Sequence, residues 1–257
     1  KLSDILLTAL GKRVTQQSDF GEWKHFAEKN HSGTGEVKIG IVGKYFDTGD
    51  FVLSDAYISV IEAIKYSAVA NGTKVKIDWL NAKNYETNPE SVSELKEYDG
   101  ILVPGGFGET GIEGKINVIR FARENKIPYF GLCYGMQLLT VEYARNVAGL
   151  KGAHTTEINP KSPHPVIAIL PEQIEKLAKK EYGGTMRLGA YPCELKEGTI
   201  AYTAYSKKTI SERHRHRYEV NPEYVEQLEK AGLVFSGRSP DKHLMEIAEL
   251  PESVHPF

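Results

Sequence analysis

The sequence predicts an α/β domain, a mostly parallel central sheet with helices on both faces. Three observations carry this. From Glu36 onward, short runs of β-branched residues alternate with amphipathic stretches of about 10–15 residues, the rhythm of strand–helix–strand units. Two glycine-rich signals, Pro104-Gly105-Gly106-Phe107-Gly108 and Gly131-Leu132-Cys133-Tyr134-Gly135, each follow a predicted strand, where ligands of open parallel sheets bind. The chain has 257 residues, 40% of them apolar and 26% charged, enough to bury a full core.

The elements follow in order. Ile5, Leu6, Ala9 and Leu10 form one short amphipathic stretch and Trp23, Phe26 and Ala27 another, parted by Gly11-Lys12-Arg13 and closed by a flexible breaker, His31-Ser32-Gly33-Thr34-Gly35. Residues 1–35 thus read as a linker carrying two short helices, or equally as an N-terminal helical cap, and residues 36–257 as the main domain. Val37 to Val42 reads as a buried strand. Ser54 is placed to cap a helix reaching about Ala70, with Tyr57, Val60, Ile61, Ile64 and Ala68 on one face. Asn71-Gly72 stops it, and Lys74–Leu80 is the second strand. Glu90–Glu97 reads as a short helix, Gly100–Val103 as the third strand, Glu113–Asn125 as a helix, Ile127–Leu132 as the fourth strand and Gln137–Val147 as a helix. The second half is less regular: Gly183-Gly184-Thr185-Met186-Arg187-Leu188-Gly189, strand-like segments, then Glu212-Arg213-His214-Arg215-His216-Arg217-Tyr218.

Charge and composition exclude several classes of function. Lys plus Arg number 32 against 34 Asp plus Glu, a net charge of −2, so the basic surplus expected of a nucleic-acid partner is missing. No apolar run approaches about 18 residues, and no membrane partner is expected. The start, Lys1-Leu2-Ser3-Asp4, lacks signal-peptide architecture, and the expected location is cytoplasmic. Two cysteines, Cys133 and Cys193, make neither a disulfide framework nor a four-ligand zinc site, and no metal is expected.

Gly-x-Cys-x-Gly at a strand-to-helix junction follows the logic of a nucleophile elbow with sulfur in place of oxygen. Glycines permit the tight turn, the following helix N-terminus is expected to lower the thiol pKa, and backbone N–H groups beyond the cysteine can receive an oxyanion. A buried structural cysteine between packing glycines is the plainer alternative. Gly105 to Gly108 can bring side-chain-free backbone and its N–H donors close to a substrate. This stretch has neither the dinucleotide spacing nor a phosphate-loop lysine. In Arg213 to Arg217, residues alternate, so on a strand the three arginines share one face and the two histidines the other. A solvated charged strand and a site for a small anion such as a carboxylate both fit.

Pro104–Gly108, Gly131–Gln137, Gly183–Gly189 and Glu212–Val220 resemble the class I glutamine amidotransferase domain of the CTP synthase family. The resemblance spans about Glu36 to Phe257, with Ser18–Lys29 similar to the linker toward a synthetase domain that this sequence does not include. It implies a flavodoxin-like amidotransferase fold and glutamine hydrolysis through a cysteine thioester. The ammonia supplies ATP-dependent amination of UTP to CTP, in pyrimidine nucleotide synthesis. Carried over, Cys133 is the nucleophile and Gly106 with the Tyr134 N–H the oxyanion hole. Gly106, Phe107, Tyr134, Gln137, Glu157 and Arg217 bind substrate, Glu157 suited to its ammonium and Arg217 to its carboxylate. The family uses ATP and Mg2+ with GTP as activator, none of them a cofactor of this domain. Its partners are L-glutamine and the synthetase domain; family tetramers form largely through the latter, so the isolated domain is expected to be a monomer or weak dimer.

Three departures stand out. Tyr134 replaces a usual leucine, which alters the expected pocket rim. Thr110 replaces an arginine in a lid implicated in GTP activation. The family's catalytic His and Glu lie in a His-Pro-Glu motif beyond a Phe-x-x-x-Gln-Phe stretch, whereas Val254-His255-Pro256-Phe257 matches the His-Pro before it. His255 is therefore not expected to be catalytic, and the triad is expected to be incomplete. Two readings stay open: the glutaminase half of a CTP synthase, and a catalytically incomplete glutamine-binding or regulatory domain. A third, an amidotransferase serving another acceptor, is disfavoured by the Gly183–Gly189 and Glu212–Val220 segments.

Overall fold

A computed structural model describes residues 2–12, 20–44, 57–169 and 186–255. The chain divides into two units, residues 1–37 with 61–75, and residues 38–60 with 76–257. The first unit holds α1 (Leu2–Ala9) and α2 (Gly21–Ser32). Helix α2 runs through His31 and Ser32, so the breaker begins only at Gly33. Within this unit Thr34 N–H donates to the Gly72 carbonyl at 3.1 Å and Lys74 N–H to the Gly35 carbonyl at 3.2 Å. Ser54, placed by sequence as a helix cap, lies outside the described residues; the helix it was to cap is α3 (Ile58–Ala70).

The site rests on a four-stranded parallel sheet in the order β2-β1-β3-β4. Its strands are β1 (Glu36–Gly43), β2 (Lys74–Asn81), β3 (Gly100–Val103) and β4 (Tyr129–Gly131). All four residues of β3 are buried, which is why its sequence is a continuous apolar run rather than an alternating one. Strand β4 is shorter than the sequence suggests, three residues at the sheet edge, with Phe130 exposed. Ala82–Thr87, α4, is a helix that the sequence pattern does not signal, and Pro89–Glu97 is a 3-10 turn rather than an α-helix.

Helices α5 (Ile112–Asn125) and α6 (Tyr134–Asn146) carry the packing. Ile116, Ile119 and Ala122 of α5 and Leu138, Val141 and Ala144 of α6 join Val42, Ile101 and Val103 in one core cluster. Each large aliphatic side chain buried there contributes about 1.5–3 kcal/mol. The core fixes β3, β4 and α6, and with them the two glycine-rich segments.

The second half is largely antiparallel. Strands β7 (Arg187–Leu195), β8 (Thr209–His216), β10 (Val234–Arg238) and β11 (Met245–Glu249) form a sheet in the order β11-β10-β7-β8. Strands β5 (Ala153–Thr155), β6 (His164–Ala168) and β9 (Glu219–Val220) form another. Helix α7 (Ile200–Tyr205) starts on Glu249, whose carboxylate accepts from the N–H groups of Ile200 and Ala201 at 2.7 and 3.1 Å. Helix α8 (Pro222–Lys230) follows β9. Only Arg217 and Tyr218 separate β8 from β9, so these two residues join one sheet to the other. Gly183 to Thr185 lie outside the described residues, and Met186 to Gly189 lead into β7.

Candidate active site

Cys133 sits where β4 gives way to α6, with φ +50° and ψ −100°, a conformation side chains rarely adopt. Gly131 and Gly135 make it feasible. A Cβ on Gly135 would lie 2.3 Å from the Val103 carbonyl oxygen, and one on Gly131 would lie 2.6 Å from the Gly135 carbonyl carbon. Leu132 N–H donates to the Val103 carbonyl and Gly135 N–H to the Leu132 carbonyl, both at 2.9 Å, so the turn is tied to the buried strand β3. Strain of this kind costs about 1–3 kcal/mol and persists where surrounding structure enforces it.

The loop after β3 runs beside the elbow. A Cβ added to Gly105 would touch the Cys133 Cβ at 3.5 Å, and one on Gly106 would meet the Tyr134 ring and the Lys115 Nζ, both at 3.9 Å. Among the described residues the Gly106 N–H has no hydrogen-bond partner, while the Tyr134 N–H bonds the Cys133 sulfur. Phe107 is exposed, and Lys44 Nζ donates to its carbonyl.

The side chain of Tyr134 does not form the pocket rim expected from the sequence. It is buried under the glycine loop, with its hydroxyl 3.5 Å from the Gly108 carbonyl. Lys115, also buried, places its ammonium 5.5 Å from the Tyr134 ring centre; burial and then Lys44 hold it down to about 8.

The expected lowering of the thiol pKa is also corrected. Cys133 is exposed, yet protein surrounds the sulfur on most sides. Burial pushes the thiol above its ordinary value, the Tyr134 N–H works the other way, and the Glu219 and Glu157 carboxylates push it further up. The helix terminus alone does not produce a thiolate here.

Two of the other expected residues, Glu157 and Gln137, lie near Cys133. Glu157, in the turn after β5, accepts from the Gly108 N–H at 3.0 Å. Gln137, one turn into α6, is buried and donates its amide to the Tyr218 carbonyl at 2.9 Å. That bond uses one of its two amide hydrogens and ties Tyr218 to α6. Cys133, Gln137 and Tyr218 line a cleft of about 690 Å³ together with His214, His216, Glu219 and Glu246.

The histidine–arginine alternation holds within β8: Arg213 and Arg215 are exposed, while His214 and His216 are partly buried. Arg217 departs from it, because β8 ends at His216. It is half-buried, with Nε buried and without a hydrogen-bond partner among the described residues. His255 bonds the Ala122 carbonyl of α5 at 3.0 Å and is not among the residues lining the cleft.

Sequence reasoning missed Arg187, Glu219 and Glu246. Arg187 forks onto Glu246 at 2.7 and 3.1 Å and lies 3.5 Å from Glu219. Burial, opposed by Arg187 and reinforced by Glu246, pushes the Glu219 carboxyl up to about 7. The one signal was the histidine pair, whose shared face had to meet something buried.

The fold and the site define an α/β domain with a strained cysteine at the end of a parallel strand, beside a glycine loop. The family model "Glutamine amidotransferase class-I" matches residues 52–256. The chain is 54% identical over 242 residues to a CTP synthase of Caldanaerobacter subterraneus subsp. tengcongensis, covering 94% of this chain and 43% of that protein. It is 51% identical to a Pyrococcus furiosus CTP synthase, covering 96% and 44%. A Trypanosoma brucei structure, the CTPS glutaminase domain with bound acivicin, superposes with a TM-score of 0.76 at 36% identity, covering 84% of this chain and 81% of that one. The chain belongs to the class I glutamine amidotransferase family, and its likeness there is to the glutaminase domain of CTP synthase. It spans less than half the length of the curated relatives it matches.

Proposed function

We propose that this chain is a glutaminase in which Cys133 attacks the side-chain amide of L-glutamine. The carbon–nitrogen bond breaks, ammonia leaves with the proton it needs, and a γ-glutamyl thioester remains until water releases glutamate and restores the thiol. The observation that carries this reading is the elbow itself: Cys133 at φ +50°, with the Tyr134 N–H bonded to its sulfur and the Gly105–Gly106 loop beside it. In this reading the Gly106 and Tyr134 N–H groups receive the oxyanion of each tetrahedral intermediate. Glu157 suits the ammonium of the substrate and Arg217 its carboxylate, so an amino-acid zwitterion is held by opposite charges. Phe107, exposed in the structure, covers the bound side chain in this reading.

A raised thiol pKa means that Cys133 needs a base. His255 is occupied with Ala122, and the reading places the base outside the described residues. In the longer protein, the ammonia would pass to a synthetase domain that aminates UTP to CTP with ATP and Mg2+, under activation by GTP. Residues 1–35 would be the connection to it. A cytoplasmic setting and a monomeric or weakly dimeric isolated domain belong to the same reading.

The test is release of ammonia and glutamate from L-glutamine, by this chain and by the longer protein that contains it. Both products should appear in equal amounts with the longer protein and vanish in Cys133→Ala. Glutamine binding with no release by either would mean a catalytically incomplete domain instead.

A further inference from the structure

Four residues lining the cleft, His214, His216, Glu219 and Glu246, form with Arg187 a line of largely buried ionic and imidazole groups, an arrangement that apolar residues would often replace without loss of stability. Its order is fixed by geometry. Arg187 of β7 forks onto Glu246 of β11, and His214 Nε2 lies 3.5 Å from Glu246 Oε2. His214 Nδ1 is 2.9 Å from His216 Nε2, and His216 Nδ1 is 3.1 Å from the Tyr218 carbonyl and 3.4 Å from Glu219 Oε1. Gln137 of α6 donates to the same Tyr218 carbonyl at 2.9 Å.

Counting protons gives this line a direction. A carbonyl only accepts, so His216 Nδ1 carries a hydrogen. Burial, reinforced by His214 and Arg187, holds His216 down to about 4, so the ring is neutral and its Nε2 accepts from His214 Nδ1–H. Burial also lowers His214, against the pull of Glu246 and with Arg187 adding to it. Both rings are then Nδ1–H tautomers. His214 Nε2 is left facing Glu246, where an added proton would sit.

Tyr218 thus receives two donors on one carbonyl, from α6 and from β8, and the peptide between Tyr218 and Glu219 cannot turn without breaking both; with His216 paired to Arg187 in the sheet, the chain is held on either side of Arg217. Arg217 keeps a buried Nε with no partner among the described residues.

We propose that His214 and His216 are positioning residues, which through the Tyr218 carbonyl hold Arg217 ready for the α-carboxylate of the amino-acid ligand. Arg187 and Glu246 anchor the other end of the line. This rests on the glutaminase reading. Preorganising one guanidinium saves the ordering of a long side chain on binding, an effect of about tenfold in affinity.

The experiment combines two readouts on the chain as it stands. Long-range proton–nitrogen spectra should show both imidazoles as Nδ1–H tautomers, with His216 resisting protonation to near pH 5. Calorimetry with L-glutamine and L-glutamate should show His216→Leu binding about tenfold more weakly, and His216→Asn, whose amide can still donate toward Tyr218, within about threefold of the unaltered chain. Alkylation of Cys133 by iodoacetamide, which has no α-carboxylate, should keep its rate in both variants. Nε2–H tautomers, equal ligand binding by His216→Leu, or an iodoacetamide rate that falls in step with binding would overturn the proposal alone. Absence of glutamine and glutamate binding by the unaltered chain would overturn the glutaminase reading, and the proposal with it.

Discussion

In one region of the molecule, the Gly105–Gly108 loop lies beside the Cys133 elbow, where an added Cβ at Gly131 or Gly135 would fall 2.6 or 2.3 Å from backbone. In the other, Arg187, His214, His216, Glu219 and Glu246 present side chains that hold one another. The first region is fixed by a few backbone bonds to a buried strand and by the absence of β-carbons. The second is fixed by charge and proton placement across strands 30 to 60 residues apart in sequence, Arg187 meeting Glu219 and Glu246. Backbone can place an oxyanion donor and keep it there with no titrating group. Side chains can tune the local charge, at the risk that losing one strands the others.

The comparison can be broken in either region. The largest effect is expected from Gly135→Ala, whose new Cβ would fall 2.3 Å from the Val103 carbonyl oxygen, on backbone that cannot give way. Denaturant melts should show a loss of about 3 kcal/mol or more, or no folded protein. Arg187→Met strikes the other region and leaves Glu246 and Glu219 facing each other. A loss of about 3 kcal/mol is expected, and the double change with Glu246→Leu should recover part of it, since the stranded charge goes too.

Glu219→Gln gives the smallest effect and sharpens the contrast most. The native carboxyl holds its proton to about 7, above the unfolded value, so its contribution to stability falls as pH rises from about 4.5 to 7. His216, held down to about 4, contributes the opposite slope between about 4 and 6.5. The difference between Glu219→Gln and the unaltered chain isolates the carboxyl: the variant should gain about 1–3 kcal/mol in relative stability across that window. Its Cys133 should also be alkylated faster at pH 8, because one of the two carboxylates raising the thiol is gone.

The backbone region was legible in the sequence because its determinants are local. Gly131 and Gly135 flank a turn whose backbone leaves no room for a Cβ, and the buried run of Gly100–Val103 ends where the Gly105–Gly106 loop begins. Strand order was less so: β4 proved to be three residues, and α4 carries no periodic signal strong enough to see. The side-chain region was hidden for a different reason. His214 and His216 could be assigned to one face, but nothing in the order of residues says that Arg187 and Glu246 arrive from other strands to meet them. The raised thiol pKa was missed likewise, since the helix terminus is visible in sequence and the carboxylates of Glu157 and Glu219 converge only in three dimensions. Tyr134 was misplaced because its side chain turns under the glycine loop, where a rim position was expected.

The central claim is that Cys133 is a nucleophile shaped for glutamine. Treatment with a diazo-ketone analogue of L-glutamine, followed by peptide mass mapping, tests it most directly. The account predicts one adduct, on Cys133, slowed by excess L-glutamine, with buried Cys193 unmodified. No adduct, equal modification of Cys193, or labelling that L-glutamine fails to slow would contradict it.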